Sequence, residues 1–257
     1  MGKSKIDQSL QEKQAGNENI FVPYIMAGDG GLNILEERIT FLQECGAAAI
    51  ELGIPFSDPV ADGPTIQEAG IRALENGTTL PSILKMLKDF KEKRSVPIIL
   101  MTYVNPIFTY GREKFAADCK ESGVDGVIIP DLPMEEEALL AEVLQNNAIA
   151  FIRLAAMTSP QERLTELANR SEGFLYAVSV TGTTGARATH DKAVKDYLQM
   201  LKRTSSVPVL AGFGVSNTEQ AQKLSSYGDG VIVGSQIVRL LHDGKTDEVK
   251  KLIHDSL

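Results

Sequence analysis

Three carboxylates follow one short apolar run: Glu51, Asp58 and Asp62, in the stretch IELGIPFSDPVADGP from Ile50 to Pro64. The preceding Ala47-Ala48-Ala49-Ile50 reads as a strand, so Glu51 falls at the strand's C-terminal end, against an apolar floor. Pro55, Pro59 and Gly63 stiffen the loop beyond the strand and hold Asp58 and Asp62 on defined paths. A carboxyl in apolar surroundings beside a second one on a rigid loop is the pattern of a general acid/base pair. The same residues also fit a plainer use, in which Glu51 pairs with a buried cation and the two aspartates only make turns.

A second constellation is rich in glycine. Thr181-Gly182-Thr183-Thr184-Gly185, Ala211-Gly212-Phe213-Gly214 and Val233-Gly234-Ser235 each follow an apolar run, and Gln236 to Leu241 reads as a short extra helix. Backbone amides approach an anion closely where side chains are absent, and a helix N-terminus adds a favourable dipole. Loops after the seventh and eighth strands of a barrel, with a short extra helix, make a recurrent phosphate site. Any one of these glycines could instead serve close packing. Tyr24, Tyr103, Asn105, Asp131 and Tyr176 are further polar groups at strand ends, and Phe213 is either a ring laid against a planar substrate or a loop anchor.

These residues need a scaffold that gathers strand ends. Apolar, β-rich runs recur at Ile20 to Ile25, Ala47 to Leu52, Pro97 to Thr102, Gly126 to Ile129, Ala148 to Leu154, Phe174 to Val178, Val207 to Ala211 and Gly230 to Val233. Helical periodicity follows at Leu32 to Cys45, Leu80 to Lys93, Glu113 to Ser122, Glu135 to Gln145, Pro160 to Asn169, Lys192 to Arg203, Glu219 to Ser226 and Asp247 to His254. Alternating units of this kind predict an α/β TIM (β/α)8 barrel over residues 1–257 as a single domain, with an open doubly wound sheet as the competing layout. Residues 1–19 read as a polar N-terminal segment that could form a short helix. In either layout the ligand binds at the carboxyl ends of the strands, where Glu51 lies.

Composition narrows the chemistry. A formal net charge of -8 over 257 residues argues against nucleic acid or an anionic membrane as the main partner. Cys45 and Cys119 have neither metal-ligand spacing nor a repeating framework, so reduced thiols and a cytoplasmic setting are expected. His190, His242 and His254 form no sequence cluster for a metal or a triad, and no secretory signal is read at the start. Carboxylates, tyrosines and backbone must then carry the reaction.

Phe21-Val22-Pro23-Tyr24, the run from Glu51 through Gln67, Pro130-Asp131-Leu132-Pro133 and Gly212-Phe213-Gly214 resemble the tryptophan synthase α subunit family, from about Ile20 to the C-terminus. The long second motif is the specific one. The resemblance implies cleavage of indole-3-glycerol phosphate to indole and glyceraldehyde 3-phosphate, beside a β subunit that carries pyridoxal phosphate in an α2β2 assembly, with no cofactor or metal in this chain. It makes Glu51 the acid/base at indole C3, Asp62 the acceptor at the indole nitrogen and Tyr176 an orienting group. It puts Tyr24, Met101 and Ile128 around the indole, Gly212 and Phe213 near the substrate, and Gly185, Gly214, Gly234 and Ser235 around the phosphate. Thr184 and Gly185 belong to a closing loop, so Val180 to Thr189 is expected to be mobile without ligand. Asp58, Asn105 and Pro133 are implied to face the partner. Some relatives carry an arginine where this chain has Val180, which puts any communication through that side chain in doubt. Other functions on the same residues are a phosphosugar isomerase or synthase, a stand-alone indole-producing lyase, and a catalytically weak regulatory subunit.

Overall fold

In a computed structural model of the chain, residues 2–178, 187–212 and 214–257 are described, 187–190 by their backbone alone. The strands are β1 (Ile20–Met26), β2 (Ile50–Gly53), β3 (Ile98–Met101), β4 (Gly126–Ile128), β5 (Ala150–Ala156), β6 (Leu175–Val178), β7 (Val209–Gly212) and β8 (Gly230–Val233). They pair in parallel and in sequence order, and β8 returns to β1 with Ile20 opposite Gly230 and Pro23 opposite Val233. That closing ladder distinguishes the barrel from the open sheet.

Alternation along the strands divides the apolar residues into two cores. Phe21 and Ile25 of β1, Ile50 and Leu52 of β2, and Ile98 and Leu100 of β3 point outward to the helices. Their neighbours Val22, Tyr24, Met26, Ile99 and Met101 fill the barrel interior. A period of two therefore decides which side chains can reach a site inside the barrel.

The helices are α1 (Lys3–Ala15), α2 (Leu35–Glu44), α3 (Pro64–Glu75), α4 (Leu80–Asp89), α5 (Val104–Tyr110), α6 (Arg112–Ser122), α7 (Ala141–Asn146), α8 (Gln161–Arg170), α9 (Arg187–Thr204), α10 (Thr218–Ser225), α11 (Ser235–His242) and α12 (Thr246–His254). In α4, Leu80, Ile83, Leu84 and Leu87 make one buried stripe, and Thr79 and Ser82 form a reciprocal capping box. Two helices go beyond the expected set. The buried face of α3 is Ile66, Ala69, Gly70 and Ala73, while α5 is a seven-residue element directly after β3.

The N-terminal segment is a structural part of the barrel, more than a polar lead. Ile6 and Leu10 of α1 are buried in the interior core. The Gly2 amide donates to Asp125 Oδ1 at 2.8 Å and the Lys3 amide to the Ala148 carbonyl at 2.9 Å, which seats α1 under the N-terminal ends of β4 and β5. Among the described residues no helix is long and apolar enough to cross a membrane. Cys45 and Cys119 are free, buried thiols.

Candidate active site

Parallel register sets the first group. Tyr24 of β1 stands opposite Glu51 of β2, which stands opposite Ile99 of β3, all on the inward face. Glu51 is 1% exposed, and among the described residues neither of its carboxyl oxygens has a hydrogen-bond partner. Burial foremost, and then the charge of Asp62, pushes its pKa up to about 8. Glu51 is therefore a neutral acid at neutral pH, holding a proton with no other group to receive it.

Asp62 comes from the loop between β2 and α3. A turn closes there, with the Asp62 amide donating to the Pro59 carbonyl at 3.3 Å, and Gln67 Nε2 donates to the Asp62 carbonyl at 2.8 Å. Tyr103, just past β3, anchors the same turn: the Ala61 amide donates to its hydroxyl at 3.1 Å, and that hydroxyl favours the ionised form of the Asp62 carboxyl. The Tyr103 ring is buried, with its centroid 5.4 Å from that of Phe56. Burial raises the Asp62 pKa, and the Tyr103 hydroxyl opposes the rise. Glu51 is thus unpartnered, while Tyr103 opposes the effect of burial on Asp62.

Two tyrosines complete the floor. A β-carbon at Gly53 would lie 1.9 Å from the Tyr24 hydroxyl, and one at Gly212 would lie 2.1 Å from the Tyr176 ring. These positions are glycine because the tyrosines occupy the space. Burial first, then Asp62 and Glu51, holds Tyr24 in its phenol form, and burial first, then Glu51 and Asp62, does so for Tyr176.

These groups open into one cavity of about 520 Å³ at the carboxyl ends of the strands. Of the expected residues, Tyr24, Glu51, Asp62, Met101, Tyr176, Gly214, Gly234 and Ser235 line it. Gly234 caps α11, whose first amides have no partners within the helix, and Gly234, Ser235 and Gln236 line the cavity. Gly214 has a φ of 84°, a backbone that side chains rarely adopt. Acid/base groups and an anion cradle thus share one space.

Other expected positions fall elsewhere. Ile128 is fully buried in the interior core and outside the cavity wall. Gly212 is also outside the wall, where it makes room for Tyr176. Val180, Thr184, Gly185 and Phe213 lie outside the described residues, and of the segment 180–189 only 187–189 are described, as the start of α9. Asp58, Asn105 and Pro133 are exposed and away from the cavity wall. Asp58 accepts a hydrogen bond from Ser57, and Val60 on the same loop and Phe108 in α5 are also exposed.

Several lining residues were not anticipated: Val60, Ile66, Ser216, Gln236 and Arg239 among them. Arg239 supplies the one cationic side chain of the wall among the described residues, and it donates to Gln236. Its position one turn after Ser235 on the extra helix was a readable signal, since side chains in a helix lean toward its N-terminus.

A closed (β/α)8 barrel with a neutral acid, a second carboxyl and a helix N-terminus around one cavity has the architecture of a barrel enzyme. A family model described as tryptophan synthase alpha chain matches residues 10–256. The chain is 59% identical to the tryptophan synthase alpha chain of Oceanobacillus iheyensis over 257 residues, all of this chain and 98% of the relative. Tryptophan synthase subunit alpha from Legionella pneumophila superposes with a TM-score of 0.88 at 33% identity, covering 100% of this chain and 97% of that one. A chain from the tryptophan synthase a2b2 complex of Pyrococcus furiosus does so with a TM-score of 0.84 at 41% identity, covering 93% and 97%. The chain belongs to the tryptophan synthase alpha chain family.

Proposed function

We propose that the chain cleaves indole-3-glycerol phosphate to indole and glyceraldehyde 3-phosphate and hands the indole to a β subunit. The observation that carries this reading is a protonated, unpartnered Glu51 in the same cavity as Asp62 and the α11 N-terminus. Cleaving the bond from indole C3 to the glycerol chain directly would leave an aryl carbanion. Protonation of C3 by Glu51, with the N1 proton passing to Asp62, gives an indolenine tautomer instead. As the C3–carbon bond breaks, its electron pair restores the aromatic ring, the chain hydroxyl becomes the aldehyde and yields its proton to Glu51, and Asp62 returns its proton to N1. Tyr176 orients Glu51 or the glycerol chain, and Gly214, Gly234 and Ser235 hold the phosphate.

This sequence of steps closes on carboxyl groups, so the reading assigns no cofactor to the chain. Pyridoxal phosphate is assigned to the β partner. An α2β2 assembly is supported by the likeness to a chain of the Pyrococcus furiosus a2b2 complex, and Asp58, Asn105 and Pro133 are its proposed contacts. Indole release from indole-3-glycerol phosphate, measured on the chain alone and with a β subunit added, tests the reading. Slow release that the partner accelerates is expected, and no release in either case refutes it.

A further inference from the structure

Resting on that reading, we infer that Asp131 is a positioning residue for the Asp62 carboxylate, acting through Tyr103. Helix α5 begins at Val104, and its N-cap residue, Tyr103, provides no side-chain cap of its own. Asp131, on the loop after β4, provides one from outside: its Oδ1 accepts the Val104 amide at 3.0 Å. A seven-residue helix has little stability alone, so such a bond has leverage over where the helix starts. On the other side of the corner, the Thr102 amide donates to the Ile128 carbonyl at 3.1 Å, continuing the pairing of β3 with β4. Tyr103 is thus fixed on both sides by the β4 segment and its loop.

The consequence reaches the acid/base pair. Tyr103 takes the Ala61 amide at 3.1 Å, next to Asp62 in the chain, so the corner and the Asp62 turn move as one unit, and its hydroxyl favours the ionised Asp62 carboxyl. Burial, then the charges of Asp62 and Asp131, keeps Tyr103 a phenol and hence a donor, against the opposing effect of the Ala61 amide. Loss of the Asp131 bond lets the corner shift and moves the Tyr103 hydroxyl relative to the Asp62 carboxyl. Asp131 itself is exposed and does not line the cavity, so it touches no substrate.

The test reads the protonation of Asp62, which Tyr103, Tyr24, Glu51 and Tyr176 face electrostatically and whose cavity Arg239 shares. Because Tyr103 stabilises the ionised form of Asp62, weakening its bond raises the pKa and moves the acid limb of kcat/KM to higher pH. The limb is measured in the full-length chain and in Y103F, D131A, D131N, V104P and the Y103F/D131A double variant. V104P removes the donor from the opposite side, and proline is tolerated at a first helical position after an extended residue such as Tyr103, with φ -86° and ψ 162°.

Y103F is expected to shift the limb upward by about one pH unit, and D131A and V104P by about half of that. D131N keeps an acceptor oxygen and restores the wild-type limb. The double variant goes no further than Y103F, as a shared route requires. Wild-type limbs in both D131A and V104P, or a double shift equal to the sum of the single ones, overturn the inference. If the wild-type chain releases no indole, the activity reading fails by itself. A carbon-13 titration of the Asp62 carboxyl, assigned against D62N, then gives the same shifts or their absence without any turnover.

Discussion

Asp62 lends its charge to Glu51 across a shared cavity, and the effect adds to burial in keeping the Glu51 carboxyl protonated. Tyr103 acts on Asp62 in the other direction, toward ionisation. The two carboxyls thereby divide acid and base roles between them. This division predicts a bell-shaped kcat/KM for indole release. The basic limb falls near pH 8, where Glu51 loses its proton, and the acid limb lies above the ordinary aspartate range. Asp62→Asn removes one of the two causes that raise Glu51, so the Glu51 carboxyl in that variant should titrate below its wild-type value by carbon-13 NMR. An unchanged Glu51 titration would show that burial alone sets it.

Glu51→Gln keeps the shape of the side chain and abolishes proton exchange. Turnover should fall by about two to four orders of magnitude while substrate affinity is largely retained. A variant with a third of wild-type turnover, with bond cleavage still the slow step, would remove Glu51 from its assigned role.

The same substitution carries a stability signature. The Glu51 pKa rises from 4.5 to about 8 on folding, so the folded chain binds more protons than the unfolded one between those values. Wild-type stability therefore drops as pH climbs through that window, at up to about 1.4 kcal/mol per pH unit from this group. Glu51→Gln lacks the term and should gain stability relative to wild type from pH 4.5 to pH 8. Urea denaturation at about pH 5 and about pH 8 checks the sign, and an equal difference at both pH values would contradict a buried neutral carboxyl.

Asp62→Asn should impair indole formation severely, because an amide does not accept the N1 proton. The fold should persist, since Asp62 sits on a loop and its replacement leaves no cavity in either core. Thermal melting and the indole assay separate the two effects, and near-normal turnover would move the acceptor role elsewhere.

Much of this was legible in the sequence because strand periodicity and site chemistry coincide. The run around Glu51 gave both a strand end and an acid, and Gly230–Val233 was read with its observed bounds. Helix α3 lies outside the sequence reading; its buried face is mostly small, with Ala69, Gly70 and Ala73, while the larger Ile71 and Leu74 are exposed. The plug formed by Ile6 and Leu10 was hidden by the polar residues around them. Ile128 is put around the indole by the family resemblance, and it does lie in the interior core, fully buried and outside the cavity wall. The tie from Tyr103 to Asp62 joins β3 to the β2 loop, a contact that no local pattern encodes.

The phosphate end gives the last prediction. Gly234 has φ -101° and ψ -84°, outside the left-handed region, and the nearest atom to a β-carbon there is 3.6 Å away, so a side chain can be accepted. Gly234→Asp then puts an anion where a dianion should bind, and KM should rise about tenfold or more with a smaller change in kcat. Arg239→Gln tests the other charge on the wall. Losing the cation should weaken glycerol phosphate binding several-fold and flatten its dependence on ionic strength, since a partly exposed charge is screened by salt. Calorimetry with glycerol phosphate at low and high salt compares wild type with both variants. Three equal affinities would mean that the anion cradle is not at the start of α11.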